Sequence, residues 1–301
     1  MSGGKLVGDA LAPAKINLGL EIAGRRIDGY HDVTTVMQTV SLFDRVRMIT
    51  PGHGNVVTHQ ATIDPQENLV TRAVRLMATA FGRPLEAGFQ VHKRIPIAAG
   101  LGGGSSDAAT AIRMLAAYWQ VAMDDPRLTA IASDTGSDVA FFLSGGRAIV
   151  EGRGERIRVL PLLDPLWVVI VVPDVVIARK TATLYGALRD DDFSDGSGVR
   201  SQTHSAVAPG GWLPNAFVRP LAEMLPGVQQ LRSALDLPGV IAYGLSGAGP
   251  AHFMLVRDLE SAARIVWKLR AIEALQGHAV RIARTMTGTG PLIVTKNPSV
   301  S

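Results

Sequence analysis

The segment Pro96–Ala109, PIAAGLGGGSSDAA, constrains this chain more than any other. Four of the five residues from Gly100 to Gly104 are glycine. Without a Cβ, such residues reach backbone conformations closed to others and let a second group come close to the main chain. The run lies between a strand-like stretch, Phe89–Ile95, and a helix-like one, Ser106–Trp119, where Ala, Ile and Leu recur at helical spacing. Strand, glycine loop and helix in that order leave unpaired N–H groups at the positive end of a helix dipole, where phosphate binds well. Ser105 and Ser106 add hydroxyls for a phosphate or its magnesium, and Asp107 reads as a cap or a dipole partner. No Lys follows the glycines, so this is not a Walker A loop, and the spelling is not the dinucleotide fingerprint. A ligand-free glycine turn is the alternative, and the density of glycine weighs against it.

Three further segments carry chemistry. In PAKINLGL (Pro13–Leu20), a strand puts Lys15 and Asn17 on one face. Either that face is solvated, or the two polar groups are buried with partners. SDTGSDVAFFL (Ser133–Leu143) offers two carboxylates, Asp134 and Asp138. Each follows a Ser, and on sequence physics alone the helix-cap reading is the stronger one. GLSGAGP (Gly244–Pro250) is a second glycine turn, weak by itself.

The rest of the pattern is mixed α/β. Leu11–Ile22 and His31–Leu42 read as strands around an Asp-Gly turn in Arg25–Tyr30, and strand signals continue to about Ile63. Pro65–Phe81 reads as a helix, Arg127–Ala132 as a short one, and Asp138–Leu143 opens another element. Trp167–Val172 reads as a buried strand. Helices follow over Pro220–Leu235 and Leu259–Gln276, and strands over Ala251–Val256 and Ala279–Thr285. Arg189–Gly211, rich in Asp, Ser, Gly and His, reads as a flexible surface excursion. The expected units are 1–160 and 161–301.

The absence of Cys excludes disulfides, thiolate catalysis and Cys-based metal sites. Thirty Lys and Arg against 26 Asp and Glu, with no run of five basic residues, argue against a nucleic-acid footprint. The most apolar stretch, Leu166–Val172, is far short of the roughly 20 residues a bilayer needs. The N-terminal residues lack an apolar secretory core. The expectation is a cytoplasmic enzyme with no nucleic-acid, membrane or protein partner.

Taken together, Pro96–Ala109, PAKINLGL and GLSGAGP resemble the superfamily of galactokinase, homoserine kinase, mevalonate kinase and phosphomevalonate kinase. PAKINLGL followed by RRIDGYHDVTTVMQTVSLFD is similar, more narrowly, to the family that phosphorylates 4-diphosphocytidyl-2-C-methyl-D-erythritol. The resemblance implies a two-domain α/β (α+β) small-molecule kinase fold. Its N-terminal domain would be ribosomal-protein-S5-like, its C-terminal domain ferredoxin-like, and the active site would lie in the cleft. It implies ATP as co-substrate with Mg2+, and a small-molecule substrate bearing a cytidine diphosphate group. It selects Asp138 over Asp134 as the base that takes the proton of the C2 hydroxyl, with Lys15 beside it neutralising charge near the reacting oxygen. Pro96, Ile97, Ala98, Ala99, Gly100, Leu101, Gly102, Gly103, Gly104, Ser105 and Ser106 would cradle ATP. Tyr30 and His31 would contact the cytosine and Asn17 would lie in the substrate pocket. Thr181 and Tyr185 would form the opposite wall, with Tyr185 stacking on the base. Asn68 and Lys93 would border the adenine. Two positions depart from the family pattern: Ala140 stands where Pro is usual, and Ala216 follows Asn215 where an acidic residue is usual.

Overall fold

The architecture is that of a computed structural model. It describes residues 4–295 apart from 28, 60–63, 65–67, 176, 178, 179, 204–210, 226, 236, 273 and 274. Two long strands organise the first sheet. These are β1 (Lys5–Arg25) and β2 (His31–Thr50), paired antiparallel from Lys5↔Thr50 to Arg25↔His31. Strands β3 (Val56–His59), β4 (Gly88–His92), β5 (Arg147–Gly152) and β6 (Arg156–Val159) extend it. The second sheet contains β7 (Trp167–Val172), β8 (Gly211–Trp212), β9 (Ala242–Leu245), β10 (His252–Val256) and β11 (Ala279–Arg284), in the order β11-β7-β10-β9-β8. A last strand, β12 (Leu292–Val294), returns to pair with β1. The end of the chain thus joins the first sheet, which the sequence reading did not anticipate.

Helices α1 (Leu69–Phe81), α2 (Gly103–Tyr118), α3 (Pro126–Thr135) and α4 (Phe141–Ser144) cover one face of the first sheet. The other face packs on the second sheet. There Ile16, Leu18, Val36 and Val40 meet Val168, Ile170, Phe253 and Leu255. Short helices α5 (Lys180–Gly186), α6 (Ser197–Ser201) and α7 (Val218–Met224) follow β7, then α8 (Gly227–Ala234) and α9 (Leu259–Ala271). Residues Leu231, Ile265 and Leu269 of α8 and α9 cover the far face of the second sheet. The result is helix, sheet, sheet, helix, with apolar side chains filling each gap.

Several expected elements differ in extent. α2 opens at Gly103, so the glycine run enters its first turn, with Gly102 as N-cap at φ +71. α1 starts at Leu69 with Asn68 as N-cap, and Pro65 lies outside the described residues. The single helix expected over Pro220–Leu235 is two helices. Pro226 sits in the sequence at the break and has no N–H to continue the first. The Asp-Gly turn joins β1 to β2, with Asp28 itself outside the described residues.

The Arg189–Gly211 stretch is not a bare excursion as far as residue 203. It contains a 3-10 turn at Asp190–Asp192 and the helix α6, whose Val199 is fully buried in the core between the sheets. Arg219 holds Asp192, and Arg200 pairs with Glu151 at 2.8 Å. A polar composition concealed one apolar anchor. Residues 204–210 of that stretch lie outside the described residues.

Candidate active site

β1 delivers the first polar groups. A register shift between Pro13 and Ala14 turns the strand. Before it, Ala10 and Ala12 pack toward the helices; after it, Ala14, Ile16 and Leu18 pack toward the second sheet. A one-residue slip exchanges the faces of a strand, and a bulge does so locally. Lys15 and Asn17 therefore point away from the inter-sheet core. They are not solvated: Lys15 is 3% exposed and Asn17 1%. Lys15 Nζ donates to Asn17 Oδ1 at 2.7 Å. Asn17 Nδ2 donates to Thr35 Oγ1 at 2.8 Å, and Asn17 Oδ1 also accepts from the Gly247 amide at 2.7 Å. Every polar atom of this buried set has a partner, which fixes the Lys15 ammonium in place.

The two glycine segments meet beside it. The Lys15 amide donates to the Leu101 carbonyl at 2.9 Å, and the Ala251 amide donates to the Ala99 carbonyl at 3.0 Å. Ser246 Oγ donates to the Gly100 carbonyl at 2.9 Å. Gly100 has φ +87, and a Cβ there would stand 2.0 Å from the Ser246 carbonyl oxygen. Only glycine allows this approach. Ala99, Leu101 and Ser106 are buried, whereas Ile97, Ala98 and Gly104 are exposed on the outer side of the loop. Among the described residues the Ser106 hydroxyl has no hydrogen-bond partner despite complete burial.

Asp107 neither caps α2 nor faces outward. It is buried and accepts from Lys93 Nζ at 2.7 Å, and Lys93 also bonds Asp44. Burial pushes Asp107 upward against the pull of Lys93. Lys93 and Asn68, expected at the border of an adenine site, have other partners here. Lys93 is enclosed by two carboxylates, and the Asn68 side chain caps α1 through the Val70 amide at 3.0 Å.

Asp138 lies in the turn before α4, with Oδ2 3.5 Å from Lys15 Nζ and 30% of its side chain exposed. Neither Asp138 nor Asp134 is a helix cap: α4 has Ala140 as its N-cap, and Asp134 sits inside α3. Asp134 is exposed and does not line the cavity that Asp138 faces.

That cavity has a volume of about 1020 Å³. Lys15, Asn17, Gly100, Gly102 and Asp138 line it, together with Tyr30, His31, Thr181 and Tyr185. Pro96, Ile97, Ala98, Gly103, Gly104 and Ser105 are outside the lining. His31 and Tyr185 place their ring centroids 4.8 Å apart, and Phe217 meets Tyr185 edge-on at 4.9 Å. Burial, then the charge of Arg25, lowers His31, so its ring is neutral at neutral pH, with one donor and one acceptor nitrogen. Burial, then the charge of Asp138, pushes Tyr185 up to about 12 and keeps it a phenol. Tyr30 is 55% exposed, and the Arg153 guanidinium sits 4.3 Å from its ring centroid.

Among the lining residues that the sequence reading did not single out are Arg153, Lys180, Phe193 and Phe217. One signal was available for Phe193. It is the only aromatic in the polar Arg189–Gly211 stretch, and an isolated apolar ring among Asp and Ser marks an anchor or a binding surface.

Comparison with known proteins places this geometry. The chain matches the GHMP kinases N terminal domain over residues 68–146 and the GHMP kinases C terminal domain over 211–274. It is 35% identical over 287 residues to the 4-diphosphocytidyl-2-C-methyl-D-erythritol kinase of Dehalococcoides mccartyi, covering 94% of this chain and 98% of that one. The chain belongs to the 4-diphosphocytidyl-2-C-methyl-D-erythritol kinase family. A second member, from Pelotomaculum thermopropionicum, is 37% identical over 269 residues, covering 87% of this chain and 93% of that one. A crystal structure of 4-(cytidine 5'-diphospho)-2C-methyl-D-erythritol kinase superposes with TM-score 0.75 at 33% identity, covering 92% of this chain and 98% of that one. The mevalonate kinase of L. major shares the fold, with TM-score 0.64 at 14% identity, covering 95% and 99% of the two chains. The two-domain small-molecule kinase fold expected from the motifs is therefore the fold of this chain.

Proposed function

We propose that this kinase transfers the γ-phosphoryl group of ATP to the C2 hydroxyl of 4-diphosphocytidyl-2-C-methyl-D-erythritol, releasing ADP. What carries the reading is that one cavity is lined both by Lys15, Asp138 and Gly100 and by Tyr30, His31 and Tyr185. The first set suits phosphoryl transfer and the second suits a planar base bearing donor and acceptor edges.

The nucleotide phosphates lie along Gly100–Ser106 and the first turn of α2, with the terminal phosphate reaching the cavity at Gly100 and Gly102. The acceptor alcohol occupies the cavity. The Asp138 carboxylate takes the hydroxyl proton as the oxygen attacks the γ-phosphorus, and the bond to the ADP oxygen breaks. The Lys15 ammonium, 3.5 Å from that carboxylate, offsets negative charge on the reacting oxygens. Asn17 holds Lys15 in position and Thr181 lies against the substrate. Magnesium travels with ATP, since Mg2+ keeps several waters and is held chiefly by phosphates and one or two protein oxygens. The Ser106 hydroxyl, without a partner among the described residues, is the oxygen that would hold it, and the ion would neutralise phosphate charge. The units 1–160 and 161–301 are read as the ATP-binding half and the ferredoxin-like half. A cytoplasmic location suits an enzyme that draws on cellular ATP.

His31, neutral and held against Tyr185, gives the cytosine edge a donor and an acceptor. Removing the ring beside it tests the base site. Tyr185→Ala is expected to raise KM for the cytidyl substrate about 10-fold or more, given roughly 1–3 kcal/mol for stacking on one base. The KM for ATP stays put, and Tyr185→Phe retains wild-type behaviour. Initial rates with each substrate varied in turn decide the point. Equal shifts in both KM values would remove Tyr185 from the base site. The activity itself is tested by ADP release: the cytidyl substrate supports it and homoserine does not.

A further inference from the structure

Lys180 opens α5 on the cavity wall. Its ammonium donates to the Ala98 carbonyl at 2.6 Å and also to the Gly249 carbonyl. One acceptor belongs to the first glycine loop and the other to the second glycine turn, so a single amine spans both. An ammonium has three N–H donors, and these two carbonyls use two of them.

Charge gives the third a purpose. Lys15 has Asp138 beside it, whereas Lys180 forms no ion pair among the described residues. Burial and then the like charge of Lys15 bring Lys180 down to about 8. Two ammonium groups and one carboxylate thus converge on one concave space. Enclosed positive charge of this kind is unfavourable until an anion enters, and then contributes strongly, because water no longer screens it.

We propose that Lys180 is a phosphate-binding residue, gripping the terminal phosphates of ATP while it ties the loop at Ala98 to the turn at Gly249. The inference rests on the reading that ATP lies along Gly100–Ser106. It adds a second cation, from the C-terminal half of the chain, to the one supplied by Lys15. As a compact point charge, an ammonium neutralises phosphate oxygens without dictating a planar geometry. Binding of the phosphates and contact between the two glycine segments then reinforce each other.

Calorimetric titration with ATP and with AMP separates this role from a merely structural tie. Wild type is expected to bind ATP more tightly than AMP. In Lys180→Met, and likewise in Lys180→Gln, ATP binding weakens about 10-fold or more while AMP binding holds. Unchanged ATP binding, or ATP and AMP weakened in step, would overturn the proposal. A second measurement needs no neutral variant to fold. In wild type carrying 13C at lysine Cε, the Lys180 signal is assigned by its absence in Lys180→Arg. It is expected to move on addition of ATP and to stay on addition of AMP, and a signal that ignores ATP contradicts the assignment. If wild type binds no ATP at all, the kinase reading falls. If it binds ATP but the variants and the signal are indifferent, only the role of Lys180 falls.

Discussion

Asp138→Asn is expected to lower kcat at least about 1,000-fold while ATP affinity changes by no more than a few-fold. The amide has the shape of the carboxylate and leaves the turn before α4 undisturbed, but it takes up no proton. General-base assistance contributes about 100- to 10,000-fold in such reactions. The variant also removes the negative charge beside Lys15 Nζ, 3.5 Å away, so the ammonium loses its fixed neighbour. Nucleotide binding, which draws on the backbone of the loop and the first turn of α2, does not depend on that carboxylate. Asp134→Asn is the control, because Asp134 is exposed on α3 and outside the cavity lining. Steady-state rates and calorimetric ATP titrations on both variants decide the assignment. A wild-type rate for Asp138→Asn, with loss in Asp134→Asn, would transfer the role of base to the other carboxylate.

Gly100→Ala is the second substitution with a large expected effect, and it acts through the backbone. The added Cβ would stand 2.0 Å from the Ser246 carbonyl oxygen and 3.1 Å from that of Gly249, at a φ of +87. Neither neighbour is the end of a flexible side chain, so loop and turn must separate. The Ser246–Gly100 and Ala251–Ala99 hydrogen bonds weaken with them. Overpacking of this kind costs roughly 1–3 kcal/mol of stability. Displacing a positioning loop by about 1 Å lowers kcat/KM about 100-fold. Gly104→Ala provides the contrast. Its Cβ meets nothing closer than Leu69 Cδ1 at 4.0 Å, so it is expected to fold at least as stably as wild type. Thermal unfolding and kcat/KM of the pair give the comparison. Equal stability and activity for both would show that the contact between the two glycine segments is dispensable.

The sequence made the local features of this site legible and left its assembly obscure. The glycine run before α2 was readable because a residue type, a position and a neighbouring helix all pointed to one chemistry. Lys15 and Asn17 were readable as a pair on one face, but not as buried. Their burial depends on the bulge at Pro13 and on Gly247, 230 residues away from Asn17. Asp138 and Asp134 had equal standing on physical grounds alone, since each follows a Ser. Proximity to Lys15, a long-range contact, is what separates them in three dimensions. Lys180 and Phe217 carried no local signal at all, because their importance comes from which carbonyls and rings the second sheet brings to them. The same limit applies to β12, three residues whose pairing with β1 is decided by tertiary contact.

The central claim is that this kinase selects a cytidine-bearing alcohol. The most direct measurement supplies the enzyme with ATP, Mg2+ and an equimolar mixture of 4-diphosphocytidyl-2-C-methyl-D-erythritol, mevalonate and homoserine, and follows the products by 31P NMR. The account predicts one new phosphomonoester signal, on the C2 oxygen of the cytidyl substrate, growing in step with ADP. Phosphorylation of mevalonate or homoserine with the cytidyl substrate left intact would contradict it.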